Sequence, residues 1–346
     1  MHIPHNKLTL LESQVESVTS VLRSGQWAAG EKVRLMESSL CEVFKYRHAV
    51  GVGSGVAALR LALLSLNVTE NDEVIVPAYS CVALANAVMS LGAKPVPVDV
   101  SRDDWNLDVD SVKQALGRRT RAVIVVNTFG CPARVREIQA MGVPVIEDIS
   151  HGFALDDHHS PEPGVADLSV VSFYATKLIG GGEGGAVMTN SNAQAEFVRD
   201  WHDYTDKPAD GRRLNDKMTD IEATLVCCQL NSLQDLICKR TGLANRYTRM
   251  LSGQSGLSIP IANKNRVWYR YVVQMPENKM DDVTDLMQKS GVSVCKPIDS
   301  WIVELDNRFQ NTLTAFNELL SLPLYPRLED TQLSYICECL SDSLKT

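Results

Sequence analysis

Ala122-Val123-Ile124-Val125-Val126 is an unbroken apolar run, β-branched after its first residue, with none of the alternation of a strand that has one wet face. Such a strand must be covered on both faces, which is the situation of a parallel sheet with helices above and below. Its neighbours in the chain agree. Residues 48–52, 73–77, 95–100, 144–148 and 168–171 read as short strands, and residues 55–64, 82–91 and 108–116 as helices between them. Strands alternating with helices build βαβ units, so the expected class is α/β with a mainly parallel sheet.

The ends of the chain depart from this rhythm. Residues 8–46 read as helical, with a break at residues 24–30. From Asp220 a helical pattern through Ile221, Leu225, Val226 and Leu230 continues past Leu236 toward Met250. Beyond it, strands are expected at residues 267–273 and 292–294, helices at 280–290 and 330–340, and a turn at 322–326. A chain of 346 residues exceeds one small core. Residues 1–235 are therefore assigned to a large domain and 236–346 to a smaller α+β one. Residues 156–164 and 206–213, polar and broken by Pro and Gly, are expected to be the least ordered.

The net charge of -8 argues against a nucleic-acid footprint, which needs a basic face. It leaves room for an anionic ligand held by a local nest of amides. The nine cysteines form no CxxC pair, and Cys337-Glu338-Cys339 is too sparse for a metal site, so reduced thiols are expected. Residues 1–7 carry no apolar signal region, and no apolar run is long enough to span a membrane. A soluble, cytoplasmic protein is the expectation.

Lys177 carries the chemistry. It follows the apolar stretch 168–171 and precedes the glycines of residues 180–185. A lysine at the junction of a strand and a glycine-rich turn suits an amine held at a fixed point near a ligand. Three other features fit the same ligand. Gly53-Ser54-Gly55 lies between a strand and a helix, where backbone amides and the helix N-terminus receive an anion, or where glycine serves only packing. Asp148, beside Glu147 at the end of a buried strand, either faces a ligand crevice or caps the next segment. Ser172 can contact a phosphate. Asn215-Asp216-Lys217-Met218 says by itself only that a helix begins, with Asp216 or Thr219 as its cap.

Together these runs resemble the DegT/DnrJ/EryC1/StrS sugar aminotransferases, which use pyridoxal phosphate on the aspartate-aminotransferase (type I) fold. The resemblance spans nearly the whole chain. It includes Asp72-Glu73-Val74-Ile75-Val76-Pro77, Gly92-Ala93-Lys94-Pro95-Val96, Phe129-Gly130-Cys131-Pro132-Ala133, Gly184-Gly185-Ala186-Val187 and Ser321-Leu322-Pro323-Leu324-Tyr325-Pro326. It implies Lys177 as the Schiff-base lysine and proton shuttle, and Asp148 as partner of the pyridinium nitrogen. It implies His151 near the ring hydroxyl, where a satisfied core histidine is the other reading. Ser54, the amides of Gly55 and Val56, and the Ser172 hydroxyl are implied to hold the phosphate. Asn215 resembles the residue that reaches the neighbouring subunit's phosphate, which makes a homodimer part of the site. The implied reaction moves an amine from glutamate to a keto-sugar, nucleotide-linked.

The chain also departs from the pattern. Val56 stands where a threonine is common. Cys81 takes the position of the aromatic that stacks on the cofactor ring; its sulfur is polarizable but covers less of a π face, and Tyr79 is the other candidate. No His-Tyr pair follows the strand at 291–294; Lys296 is the cation there, either meeting an anionic substrate group or simply solvated. A sugar dehydratase of the same fold is expected to have His in place of Lys177. A non-catalytic ligand-binding relative is favoured only by the departures. A nicotinamide oxidoreductase lacks its G-x-G-x-x-G turn after the first strand.

Overall fold

The computed structural model describes residues 2–8, 12–158, 160–261, 263–302 and 306–345. Its centre is a sheet of seven strands: β1 (His48–Val52), β2 (Glu73–Pro77), β3 (Lys94–Val98), β4 (Thr120–Val126), β5 (Val145–Asp148), β6 (Leu168–Ser172) and β7 (Gly185–Thr189). Their spatial order is β1-β7-β6-β5-β4-β2-β3, and only β7 runs against the rest. The apolar run that opened the argument is the core of β4. Ala122, Ile124 and Val126 face one cluster, with the helices Gly55–Ser65 and Val82–Met89; Val123 and Val125 face another, with Val112, Val135 and Ile138. Side chains alternate across a strand, so a run apolar at every position is buried on both sides.

A second sheet pairs β8 (Tyr271–Gln274) antiparallel with β9 (Leu319–Leu322). Around it Leu243, Tyr247, Val283, Met287, Leu333 and Ile336 form a separate cluster, which Ile3 joins by bridging to Val292.

Several expectations about elements change. β7 was not foreseen as a strand, because it opens on glycine and pairs antiparallel inside a parallel array. β9 occupies part of the stretch read as a turn; it follows the helix Gln310–Glu318 directly, with no turn residue to announce it. The strand expected at 267–273 shortens to β8, and residues 292–294 make only an isolated bridge. The long helix from Asp220 is two helices, Asp220–Asn231 and Leu233–Leu251, broken at Ser232. The break lets the second helix leave the sheet core, which Leu233 and Ile237 still join, and pack Leu243 and Tyr247 into the second cluster. The expected N-terminal helical stretch is realised as Glu12–Ser24 and Glu31–Phe44; residues 9–11 of it lie outside the described residues. The described residues of 156–164 and 206–213 form turns and bridges but no helix or strand; His159, within the first of these, lies outside the described residues. All nine cysteines are free.

Candidate active site

The C-terminal ends of β1, β2, β4, β5 and β6 lie along one edge of the sheet, and the antiparallel β7 begins there at Gly185, paired with Val52 and Ser172. A cavity of about 180 Å³ opens at this edge. Lys177, Asp148, His151, Ser54, Gly55, Val56, Ser172 and Cys81 all line it. The sequence had scattered them over more than a hundred residues; the crossovers of the parallel sheet collect them.

The turn after β1 is seated tightly. Ser54 caps the helix Gly55–Ser65, accepting from the Ala57 amide at 3.1 Å. A Cβ on Gly55 would stand 2.7 Å from Ser172 Cβ. Only glycine lets the helix start lie against the end of β6. The first amides of this helix have no intrahelical acceptor and point their partial positive charge into the cavity. The Ser54 hydroxyl accepts in the cap and keeps its proton to donate.

Behind them Ser172 N donates to Ser150 Oγ at 2.8 Å, and Ser150 N donates to Asp148 Oδ1 at 2.9 Å. The ends of β6 and β5 are thereby tied together. Asp148 is 7% exposed. Burial pushes its carboxyl above the usual range, and bonds from Ser150 and the charge of Lys177 oppose the rise. A cation beside Asp148 relieves that cost. Glu147, on the same strand, faces away and is held by Asn127 at 2.9 Å and Ser169 at 3.4 Å.

Lys177 rides a loop that doubles back on itself. Phe173 N and Ala175 N donate to Gly184 O and Gly182 O, both at 2.9 Å, and Gly181 N returns to Phe173 O at 2.8 Å. Gly182 and Gly184 adopt φ of +92° and +115°, open to glycine at little cost. Asn6 Nδ2 pins the loop at Thr176 O, 3.3 Å away. Lys177 Nζ meets no carboxylate among the described residues; it sits 5.4 Å from the centroid of the Tyr269 ring.

His151 lies between two rings, stacked on Tyr269 at 4.5 Å and parallel to Phe129 at 6.4 Å. Burial, with the charges of Lys177 and Arg270, holds its imidazole well below the ordinary value, so it is neutral. Its Nδ1 has no hydrogen-bond partner among the described residues. Tyr269 arrives from far along the chain because Val267 N donates to Gly130 O at 3.0 Å. Burial raises the Tyr269 phenol, but Lys177, Arg270 and hydrogen bonds from Thr176 and Arg270 outweigh it and bring it below the usual value.

A second cavity, about 520 Å³, continues past Lys177, His151 and Cys81, and Tyr269, Arg270, Asp299 and Trp301 wall it. Cys81 lies where the two cavities meet and is exposed to their space while set deep among protein atoms. Burial and Asp148 raise its thiol, and Lys177 lowers it. Tyr79 lines the first cavity too, but its ring packs edge-on against Phe316 at 4.9 Å and Phe129 at 6.1 Å. Cys81, unlike Tyr79, is exposed to the cavity space.

Two sequence candidates lie elsewhere. Lys296 is exposed and lines neither cavity; the cation at the wall is Arg270. Asn215 is exposed and away from the cavity of its own chain. Asp216 caps nothing: it pairs with Arg60, while Thr219 caps the next helix in a capping box with Glu222. Tyr269 and Arg270 were missed as site residues; their one local signal was an arginine set among aromatics in Trp268-Tyr269-Arg270-Tyr271.

The residues present fit pyridoxal phosphate. Gly55 seats the start of its helix against Ser172 at the cavity, and among the described residues Asp148 is a buried carboxylate bonded only to Ser150 and Lys177 presents an amine without an ion pair. Comparison with known proteins agrees. The model of the DegT/DnrJ/EryC1/StrS aminotransferase family matches residues 9–341. The spore coat polysaccharide biosynthesis protein SpsC of Bacillus subtilis (strain 168) is 27% identical, over 99% of this chain and 97% of that protein. The aminotransferase TlmJ from Streptoalloteichus hindustanus superposes with a TM-score of 0.92 at 26% identity, covering 99% of both chains. NtdA of Bacillus subtilis, solved with bound cofactor PMP, shares the fold with a TM-score of 0.89 at 24% identity, over 100% of this chain and 86% of that one. The seven-stranded sheet is that of the type I pyridoxal-phosphate fold, and this chain belongs to the DegT/DnrJ/EryC1/StrS aminotransferase family of pyridoxal-phosphate-dependent transaminases.

Proposed function

We propose that this aminotransferase moves an amino group from glutamate to a keto-sugar, nucleotide-linked, in the making of surface-polysaccharide or secondary-metabolite sugars. The observation that carries the reading is the convergence of Lys177, Asp148 and the Ser54-Gly55 turn on one cavity, with a larger cavity beyond Lys177 for the substrates. That SpsC is named for polysaccharide biosynthesis supports a sugar as acceptor.

Pyridoxal phosphate, when bound, supplies a ring that withdraws electrons from the substrate carbon. The protein's part is positioning and proton movement. Asp148 keeps a proton on the ring nitrogen, and the buried carboxylate gains a cation in return. Ser54, Ser172 and the amides of Gly55 and Val56 hold the phosphate. Neutral His151 hydrogen-bonds the ring hydroxyl. Lys177 Nζ would hold the cofactor and, as a free amine, would take the proton from the substrate carbon and return it. The Tyr269 ring beside the amine excludes water from its approach. In a homodimer Asn215 reaches the partner's phosphate. We keep residues 1–235 as the cofactor domain and 236–346 as the smaller domain.

Reduction of the cofactor-loaded protein with borohydride, followed by peptide mass spectrometry, should find the label on Lys177. A label on another lysine overturns the assignment. Glutamate should convert the visible band to the aminated form, and a keto-sugar panel should reverse it. Mixing Lys177→Ala with Asn215→Ala subunits should restore part of the activity through one intact hybrid site. The exposed sulfur at Cys81 favours a second reading, a ligand-binding relative without turnover; a loaded protein inert to every amino donor would select it.

A further inference from the structure

Arg270 lines the larger cavity, half-buried, and no carboxylate lies within ion-pair distance of it among the described residues. The other secluded arginines each donate to oxygen, although the Nε groups of Arg240 and Arg266 meet no acceptor among the described residues. Arg60 pairs with Asp216; Arg240 donates to the carbonyls of Trp268, Tyr269 and Leu324; Arg266 donates to Phe129 O. Arg270 reaches Cys295 Sγ at 3.6 Å, a weak acceptor, and the Tyr269 phenol. Most of its five N–H groups therefore have no oxygen partner among the described residues. Asp299 borders the same cavity and is exposed, with no ion pair to Arg270.

The position is informative. Arg270 Cζ and Lys177 Nζ each lie 5.4 Å from the centroid of the Tyr269 ring, so they cannot be farther apart than twice that distance. A planar fork with free donors matches a carboxylate in two parallel bonds. In an amino acid a carboxylate is one bond from the reacting carbon, which brings it within that reach of the amine. The phosphates of a nucleotide-linked sugar stand a whole ring farther from the reacting carbon.

We propose that Arg270 receives a carboxylate of the amino-acid donor and so sets donor specificity. The proposal rests on the aminotransferase reading and adds to it a residue that the resemblance did not name. An oxyanion on the acceptor is the other source of the same chemistry, and the test separates the two.

The experiment uses holoenzyme carrying Arg270→Gln or Arg270→Lys, with cofactor attachment at Lys177 and thermal midpoint checked first. The glutamate half-reaction is followed by stopped-flow absorbance, 2-oxoglutarate binding by calorimetry, and UDP competition as the probe for an acceptor phosphate. Loss of charged hydrogen bonds should raise the half-saturating glutamate concentration about 10- to 100-fold in Arg270→Gln and weaken 2-oxoglutarate alike. Arg270→Lys, a point charge without the fork, should fall between. UDP competition should not move. Unchanged glutamate and 2-oxoglutarate curves overturn the proposal, as does a loss confined to UDP. If cofactor never attaches to Lys177, the aminotransferase reading fails instead, and 2-oxoglutarate calorimetry alone still decides Arg270.

Discussion

Gly55→Ala is the sharpest test of how the site is built. Gly55 has no positive φ, so alanine meets no backbone strain. Its Cβ would stand 2.7 Å from Ser172 Cβ, 3.1 Å from Ser172 Oγ and 3.3 Å from Ser172 Cα. Carbon atoms pack at about 3.5–4.0 Å, so the helix start must withdraw from β6 by roughly 1 Å. Overpacking of this kind costs about 1–3 kcal/mol. The reduced freedom of the unfolded chain returns about 0.4–1 kcal/mol. A net loss of roughly 1–2 kcal/mol is expected in urea unfolding of the cofactor-free protein. The same withdrawal moves the Gly55 and Val56 amides off a bound phosphate. Each charged hydrogen bond is worth about 1.5–3 kcal/mol, so cofactor affinity should fall roughly 10- to 100-fold. Ser172→Gly removes the two nearest atoms of the clash. In that background Gly55→Ala should cost less than about 0.5 kcal/mol, a coupling of about 1 kcal/mol between the sites. Strictly additive stabilities, or a Gly55→Ala protein that binds pyridoxal phosphate as the parent does, would refute this reasoning.

Gly130→Ala places a Cβ 1.7 Å from Val267 O at a φ of +85°, and should cost about 4 kcal/mol or more by denaturant titration while loosening Tyr269 from His151. Arg60→Met removes the partner of Asp216 and should cost about 1–3 kcal/mol by urea unfolding, because a partly buried carboxylate is left without its cation. His5, held by burial and by Arg270 at about 4, titrates below its unfolded value of 6.5. Its contribution is full above pH 6.5, is lost as pH falls toward 4 because the unfolded chain takes the proton first, and amounts to about 3 kcal/mol; His5→Gln should flatten the urea midpoint against pH over that window, and an unchanged slope would refute it. Cys81→Phe should slow cofactor loss about 3- to 10-fold through a ring contact worth roughly 0.5–1.5 kcal/mol, measured by dialysis of the loaded protein.

What was legible in the sequence follows from where the information sits. The core of β4, residues 122–126, announces itself because burial on both faces demands an apolar residue at every position. Lys177, Asp148 and the Ser54-Gly55 turn were legible because each stands within a few residues of a strand end, where the parallel topology must deliver it. β7 and β9 were not, since a strand opening on glycine and a strand continuing from a helix carry no local boundary signal. Tyr269 and Arg270 reach the site through the contact of Gly130 with Val267, more than a hundred residues apart, and no local pattern encodes that. Lys296, read as either a substrate contact or a solvated charge, is the solvated charge: it is exposed and lines neither cavity.

At the cavities, hydrogen-bond partners and open space together say more about a polar group than burial alone. Glu147 and Asp148 are neighbours on one strand, both buried and both raised by that burial. Glu147 is met by Asn127 and Ser169, whereas Asp148 has only Ser150 and an open cavity. One nitrogen of Arg240 donates to three carbonyls while its Nε meets no acceptor among the described residues; Arg270, at the cavity wall, finds a sulfur and a phenol. A fold gains nothing by sequestering donors and acceptors that it does not use, since each unmet group costs about 1–3 kcal/mol. Groups left short of partners at the mouth of a cavity make sense when a ligand completes them. Asp148 and His151 line the smaller cavity, His151 and Arg270 the larger, and Lys177 borders both.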